Sequence, residues 1–84
     1  MEKKKEIKEL EEMIEIVLLR IPREIEARNF YMSAAKKTNS EMAKELFINL
    51  SQQEQGHEAE LRRILKHLQG ELHTIKTGHP ENGH

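Results

Sequence analysis

Two long apolar stripes, joined by the polar triplet Thr38-Asn39-Ser40, constrain this chain more than any other feature. Across residues 4–37, Ile7, Leu10, Ile14, Val17, Leu18, Ile21, Ile25, Tyr31, Met32 and Ala35 recur at three- and four-residue intervals. Across residues 39–69, Ala43, Leu46, Phe47, Leu50, Leu61, Ile64, Leu65 and Leu68 do the same. That period belongs to an amphipathic helix with one face to bury. A connection so short makes the two helices antiparallel neighbours. Thr38 and Glu41 have capping-box spacing, and Asn39 is an alternative N-cap for the second helix.

The sequence therefore predicts an all-α protein, an antiparallel two-helix hairpin over residues 1–70. Residues 71–84 form a terminal segment, with a short turn of helix over 71–77 and a disordered tail from Gly78 onward. Pro22 leaves one choice open. It either kinks a continuous first helix or sits at the first position of a separate one. The apolar stripe crosses it without losing phase, which favours the kinked helix.

A hairpin of 84 residues has little interior and needs a metal, disulfides or a partner subunit. The absence of cysteine excludes disulfides, thiolate catalysis and thiolate-held metals. The 14 basic and 15 acidic side chains are interspersed, net charge −1, which argues against a nucleic-acid partner. Lys3-Lys4-Lys5, flanked by Glu2 and Glu6, reads as a solvated helix start. The longest apolar run, Ile16-Val17-Leu18-Leu19, falls far short of the ~18 residues of a membrane span. With no signal-peptide pattern at the N-terminus, the expectation is a soluble cytoplasmic protein without a membrane partner.

The chemistry lies where the stripes are broken. On the second helix the core face reads Leu46, Leu50, Glu54, His57, Leu61, Ile64 and Leu65. A carboxylate and an imidazole thus hold positions that should be apolar, and burying them unpaired costs several kcal/mol. On the first helix Glu24, three residues after Ile21, interrupts the stripe in the same way. Glu24 and Glu54 each lie fifteen residues from Asn39. At ~1.5 Å of rise per residue both stand about 22 Å from the turn, so an antiparallel hairpin brings them to one level. One Glu plus a Glu-x-x-His motif is half the ligand set of a di-iron carboxylate bundle. A symmetric homodimer supplies four carboxylates and two imidazoles on four helices. Such an oxygen-rich set suits iron or manganese.

The segment from Glu24 to Tyr31, followed by Glu54-Gln55-Gly56-His57, resembles the first helix pair of rubrerythrins. It is similar also to the encapsulated ferritins, two-helix chains whose ligands are thirty residues apart, as Glu24 and Glu54 are here. The resemblance covers roughly residues 5–70. It implies a ferritin-like four-helix bundle formed by dimerisation, with iron held by Glu24, Glu54 as bridging ligand, and His57. It also implies that Tyr31 hydrogen-bonds a ligand carboxylate and that Glu26 belongs to a metal-access site. It further implies ring-shaped assemblies of dimers, delivering oxidised iron inside an encapsulin shell.

Three departures bear on those implications. Arg23 stands where the encapsulated ferritins place the acidic neighbour of Glu26. The shell-docking peptide is not seen after Gly78, and no cysteine-ligated rubredoxin module is present. The leading reading is an Fe(II) ferroxidase using dioxygen. Its alternatives are a rubrerythrin-like peroxidase with an external electron donor and a non-catalytic helical oligomerisation module. Gly56, inside the motif, either admits a close neighbour or is a tolerated surface glycine. His67, His73, His79 and His84 are irregularly spaced and read as solvated.

Overall fold

A computed structural model describes residues 2–78. It is all-α: α1 (Glu2–Lys37) and α2 (Glu41–Thr77) form an antiparallel hairpin. The described residues contain no strand, and no helix among them is long and apolar enough to cross a membrane. Helix α1 passes through Pro22 without a break, so the first helix is not split. Pro22 is exposed, while its neighbours along the seam, Ile21 and Glu24, are buried. The ring therefore sits on the solvent side, and burial on the other side holds the helix together across the missing hydrogen bond.

Both ends of α2 differ from the sequence expectation. The N-cap is Ser40, not Thr38 or Asn39. Its backbone is extended (φ −88°, ψ 122°), and its Oγ accepts the Ala43 N–H at 3.2 Å. Thr38 Oγ1 instead accepts from the Ser40 N–H at 3.2 Å, which organises the turn. At the other end α2 continues through Gly70 to Thr77, where only a short turn was expected. One glycine costs the helix about 1 kcal/mol, and half-buried Leu72 and Ile75 beyond it carry the apolar seam onward. The stop comes at Gly78, whose φ of 75° ends the helix and whose N–H donates to the Thr74 carbonyl. The rest of the expected disordered tail, residues 79–84, lies outside the described residues.

The buried and half-buried positions form a heptad seam narrower than the stripes. On α1 it runs Ile14, Val17, Ile21, Glu24, Arg28, Tyr31, Ala35; on α2, Phe47, Ser51, Glu54, Glu58, Leu61, Leu65, Leu68. Alternating steps of three and four are the coiled-coil solution to packing two helices. Leu46 and Ile64, expected in the core, are exposed at 57% and 40%. They lie beside the seam, as do Ile16, Leu19 and Phe30, each about two-thirds exposed. Antiparallel pairing sets these flanks of α1 and α2 on the same broad face of the hairpin. Accordingly Ile16, Leu19 and Arg20 share one shallow concavity with Leu61 of α2. On the other side the ion pair Glu11–Lys76 (3.4 Å) links the helices, although Leu18 and Met32 are also exposed; Arg28–Glu58 (2.7 Å) links them within the seam.

The molecule measures 59 × 27 × 13 Å, so it is one helix thick. Its radius of gyration is 18.2 Å, against about 12 Å for a compact domain of this length. Among the described residues no large side chain is fully buried.

Replacing Pro22 by alanine restores one backbone hydrogen bond and removes a steric clash. Pro22→Ala is expected to stabilise the hairpin by about 1–3 kcal/mol, measured by urea unfolding. No gain would show that α1 is bent around the proline and packed in that shape.

Candidate metal centre

The structure brings Glu24, Glu54 and His57 together. Their nearest ligand atoms all lie within 4.8 Å of one another. Glu24 occupies the α1 seam between Ile21 and Arg28, and Glu54 the facing seam position of α2. His57, three residues on, extends from the flank. Its Nδ1 stands 3.5 Å from Glu24 Oε2 and 3.8 Å from Glu54 Oε2. The three are buried to different degrees. Glu24 is 4% exposed, Glu54 is half-buried, and the His57 side chain is 62% exposed. His57 is thus not on the core face as expected; it lies on the apolar flank with Leu46 and Ile64.

The two oxygens of Glu24 have different fates. Oε1 accepts from Arg20 Nε at 2.8 Å, one helical turn earlier. Oε2 is buried and has no hydrogen-bond donor when both carboxyls are ionised. When Glu54 is protonated, its carboxyl can donate across to Glu24. That bond holds the Glu24 carboxyl below the usual carboxylate range, assisted by Arg20 and opposed by burial. The Glu54 carboxyl is raised, first by the bond to Glu24, then by burial and the repulsion of the Glu24 charge.

Sequence reasoning missed the charges that frame this cluster. Arg20, four residues before Glu24, was given no role, yet it bonds Glu24 at 2.8 Å. Arg28 and Glu58, each four residues after a ligand, occupy seam positions and pair across the hairpin at 2.7 Å, and Arg62 adds a second bond to Glu58 at 2.9 Å. The signal was present in the heptad register, which places a charge at two successive seam positions on each helix.

The remaining candidates fall into place around the site. Tyr31 stacks on Phe47 (centroids 6.5 Å apart, 21° between planes) and meets Phe30 edge-on. Within the chain its hydroxyl makes no hydrogen bond to Glu24 or Glu54, so the packing role is the one observed. Glu26 is exposed on the outside of α1. A methyl group added at Gly56 would meet nothing within 4 Å, which makes it a tolerated surface glycine within the single chain. His67 and His73 are exposed; His79 and His84 lie outside the described residues.

A divalent cation fits this donor set. Donors bound to one ion at about 2.1 Å stand up to ~4.2 Å apart, so small side-chain rotations close the triangle. A cation also supplies what Oε2 of Glu24 lacks. Three donors nevertheless leave half of an octahedral shell open, on the side where the hairpin is apolar and uncovered.

Fold and site define a ferritin-like helical hairpin carrying a carboxylate–histidine cluster. The chain belongs to the rubrerythrin family, whose model matches residues 15–83 and so takes in all three cluster residues. Membership implies iron binding by a di-iron ferritin-like protein. Neither curated proteins nor solved structures gave a match.

The pH dependence of the metal-free chain has a definite sign. Glu54, with its folded pKa raised, contributes stability that is present below the unfolded value of 4.5 and lost as pH rises through the folded value. Glu24, with its folded pKa lowered, contributes stability present above 4.5 and lost as pH falls through its own lower value. Thermal stability in chelator is therefore expected to peak in mildly acidic solution and decline toward neutrality. Glu54→Gln, which keeps a donor facing Glu24, is expected to abolish that decline. An identical decline in the variant would show that Glu54 is not its source.

Proposed function

We propose that two copies of this hairpin pair through the apolar face bearing His57 and join two Glu24–Glu54–His57 clusters into one di-iron ferroxidase centre. The observation that carries the reading is Glu24. A carboxylate 4% exposed, with one oxygen lacking a donor, sits in a cluster whose open side faces uncovered apolar surface. A second copy laid on that face supplies the missing donors and covers Ile16, Leu19, Phe30 and Leu46 in the same step.

Each side chain then has a distinct role. Glu24, held by Arg20, is the terminal carboxylate. Glu54, facing Glu24 at the same level, would be the carboxylate shared between the two ions. His57 is the neutral nitrogen donor. The apolar flank excludes water around the centre, which strengthens the attraction between carboxylates and cations. Iron held there would supply the redox chemistry: two ferrous ions would give two electrons to one dioxygen, which takes up two protons and leaves as hydrogen peroxide. Family membership supports a second reading, in which the same ligands serve peroxide reduction. The sequence has no cysteine, so electrons would then come from another protein or a small reductant.

The test is anaerobic Fe(II) titration followed by mixing with dioxygen or with peroxide, on wild type and Glu54→Ala. Wild type is expected to oxidise iron faster with dioxygen, and Glu54→Ala to lose about tenfold or more in affinity. Equal stoichiometry and rates in the variant would overturn the ferroxidase reading. A large preference for peroxide would exchange the two readings. Leu46→Asp is expected to shift the mass in solution from dimer or larger to monomer and to reduce iron affinity with it. Unchanged assembly would remove this face from the interface.

A further inference from the structure

We infer that Arg20 is a positioning residue for the metal centre, keeping hold of Glu24 Oε1 while a cation is bound so that Glu24 ligates through Oε2 alone. The inference rests on the reading of the cluster as a metal site. Its basis is the division of the Glu24 carboxylate. Arg20 Nε donates to Oε1 at 2.8 Å, while Oε2 is turned inward, 3.5 Å from His57 Nδ1, and has no donor. The guanidinium is not a cation occupying the site. Its side chain is 55% exposed, and it bonds the Glu24 oxygen other than the one nearest His57. An ion bound among the three donors therefore has no cause to displace it.

The consequence concerns denticity. A freely rotating carboxylate can chelate one ion with both oxygens and so use two of its coordination positions. A carboxylate pinned by a charge-assisted bond to one oxygen presents only the other. Arg20 thereby keeps a position open on the ion nearest Glu24. The bond also fixes the side-chain torsions of Glu24 before metal arrives, which lowers the ordering cost of binding.

Arg23 provides the control. It borders the same concavity as Arg20, carries the same charge and has no ion-pair partner among the described residues. Co(II) titration of the metal-free full chain, followed through the ligand-field bands, compares wild type with R20Q, R20K and R23Q. Removing a positive charge beside a cation site by itself tightens binding; loss of a positioned ligand weakens it. The sign therefore separates the two effects. R20Q is expected to bind Co(II) about tenfold more weakly and with weaker ligand-field bands, as Glu24 chelates and the coordination number rises. R20K, which keeps a donor one turn before Glu24, is expected within about threefold of wild type, and R23Q at wild-type affinity or tighter. The inference is overturned if R20Q binds as tightly as wild type, if R20K is as weak as R20Q, or if R23Q weakens equally. Should R20Q lose its helical circular dichroism, R20K decides: wild-type-like bands and affinity support the inference, and a tenfold loss overturns it. Absence of Co(II) binding by wild type sinks the metal reading itself, a result distinct from wild-type binding that R20Q leaves intact.

Discussion

A carboxylate placed in the seam of a two-helix coil must be compensated, because burying it alone costs more than a typical side-chain contact returns. Glu24 is compensated on one side only. Arg20 satisfies one oxygen from the flank, and the other is left facing Glu54 and His57. In the metal-free chain the two carboxyls shift each other's proton affinity, Glu24 downward and Glu54 upward. That arrangement is a weak substitute for a divalent cation, which neutralises both charges and satisfies all three donors at once. The two carboxylates that make the seam less stable than an apolar one are also two of the three donors of the candidate metal centre.

The thinness of the hairpin converts this local need into a need for assembly. A slab 13 Å thick has no second layer to cover its apolar flank. Two helices expose large aliphatic and aromatic groups on the very face onto which the half-filled cluster opens. Hydrophobic covering and completion of the ligand shell therefore call for the same partner in the same orientation. At about 25 cal/mol per Å² of apolar surface removed from water, each of Ile16, Leu19 and Phe30 contributes to such pairing. In the proposed dimer the cluster would set the register in which two copies meet.

Much of this was legible in the sequence because helix geometry is so regular. Equal spacing of Glu24 and Glu54 from Asn39 was enough to place them at one level. What the sequence could not show was which side of a broad stripe turns inward. Apolar residues at Leu46 and Ile64 look identical to core residues until the seam is narrowed to heptad positions by a real neighbour. His57 shared that ambiguity and proved to lie on the flank. The cap at Ser40 was hidden among three adjacent residues that can all cap, and only backbone conformation distinguishes them. The length of α2 was underestimated because Gly70 looks like a terminator. A glycine ends a helix only where the chain adopts positive φ, as it does at Gly78 and not at Gly70.

The charges around the cluster follow a rule that composition conceals. Glu24 and Glu54 are each followed, four residues later, by a seam residue of opposite or complementary role, Arg28 and Glu58, and these bond to each other across the hairpin. A long side chain reaching along the seam from each helix ties the two at the level of the ligands, on the side away from His57. A slip of either helix by one heptad would break this pair and separate the two carboxylates together. The polar layer thus specifies register where an apolar layer would allow sliding, in the way a buried polar pair fixes alignment in coiled coils. It does so with a crossing ion pair that uses none of the three candidate ligands. The hairpin can therefore hold Glu24 opposite Glu54 in advance, and leave to the cation and the second copy only the closing of a site already half assembled.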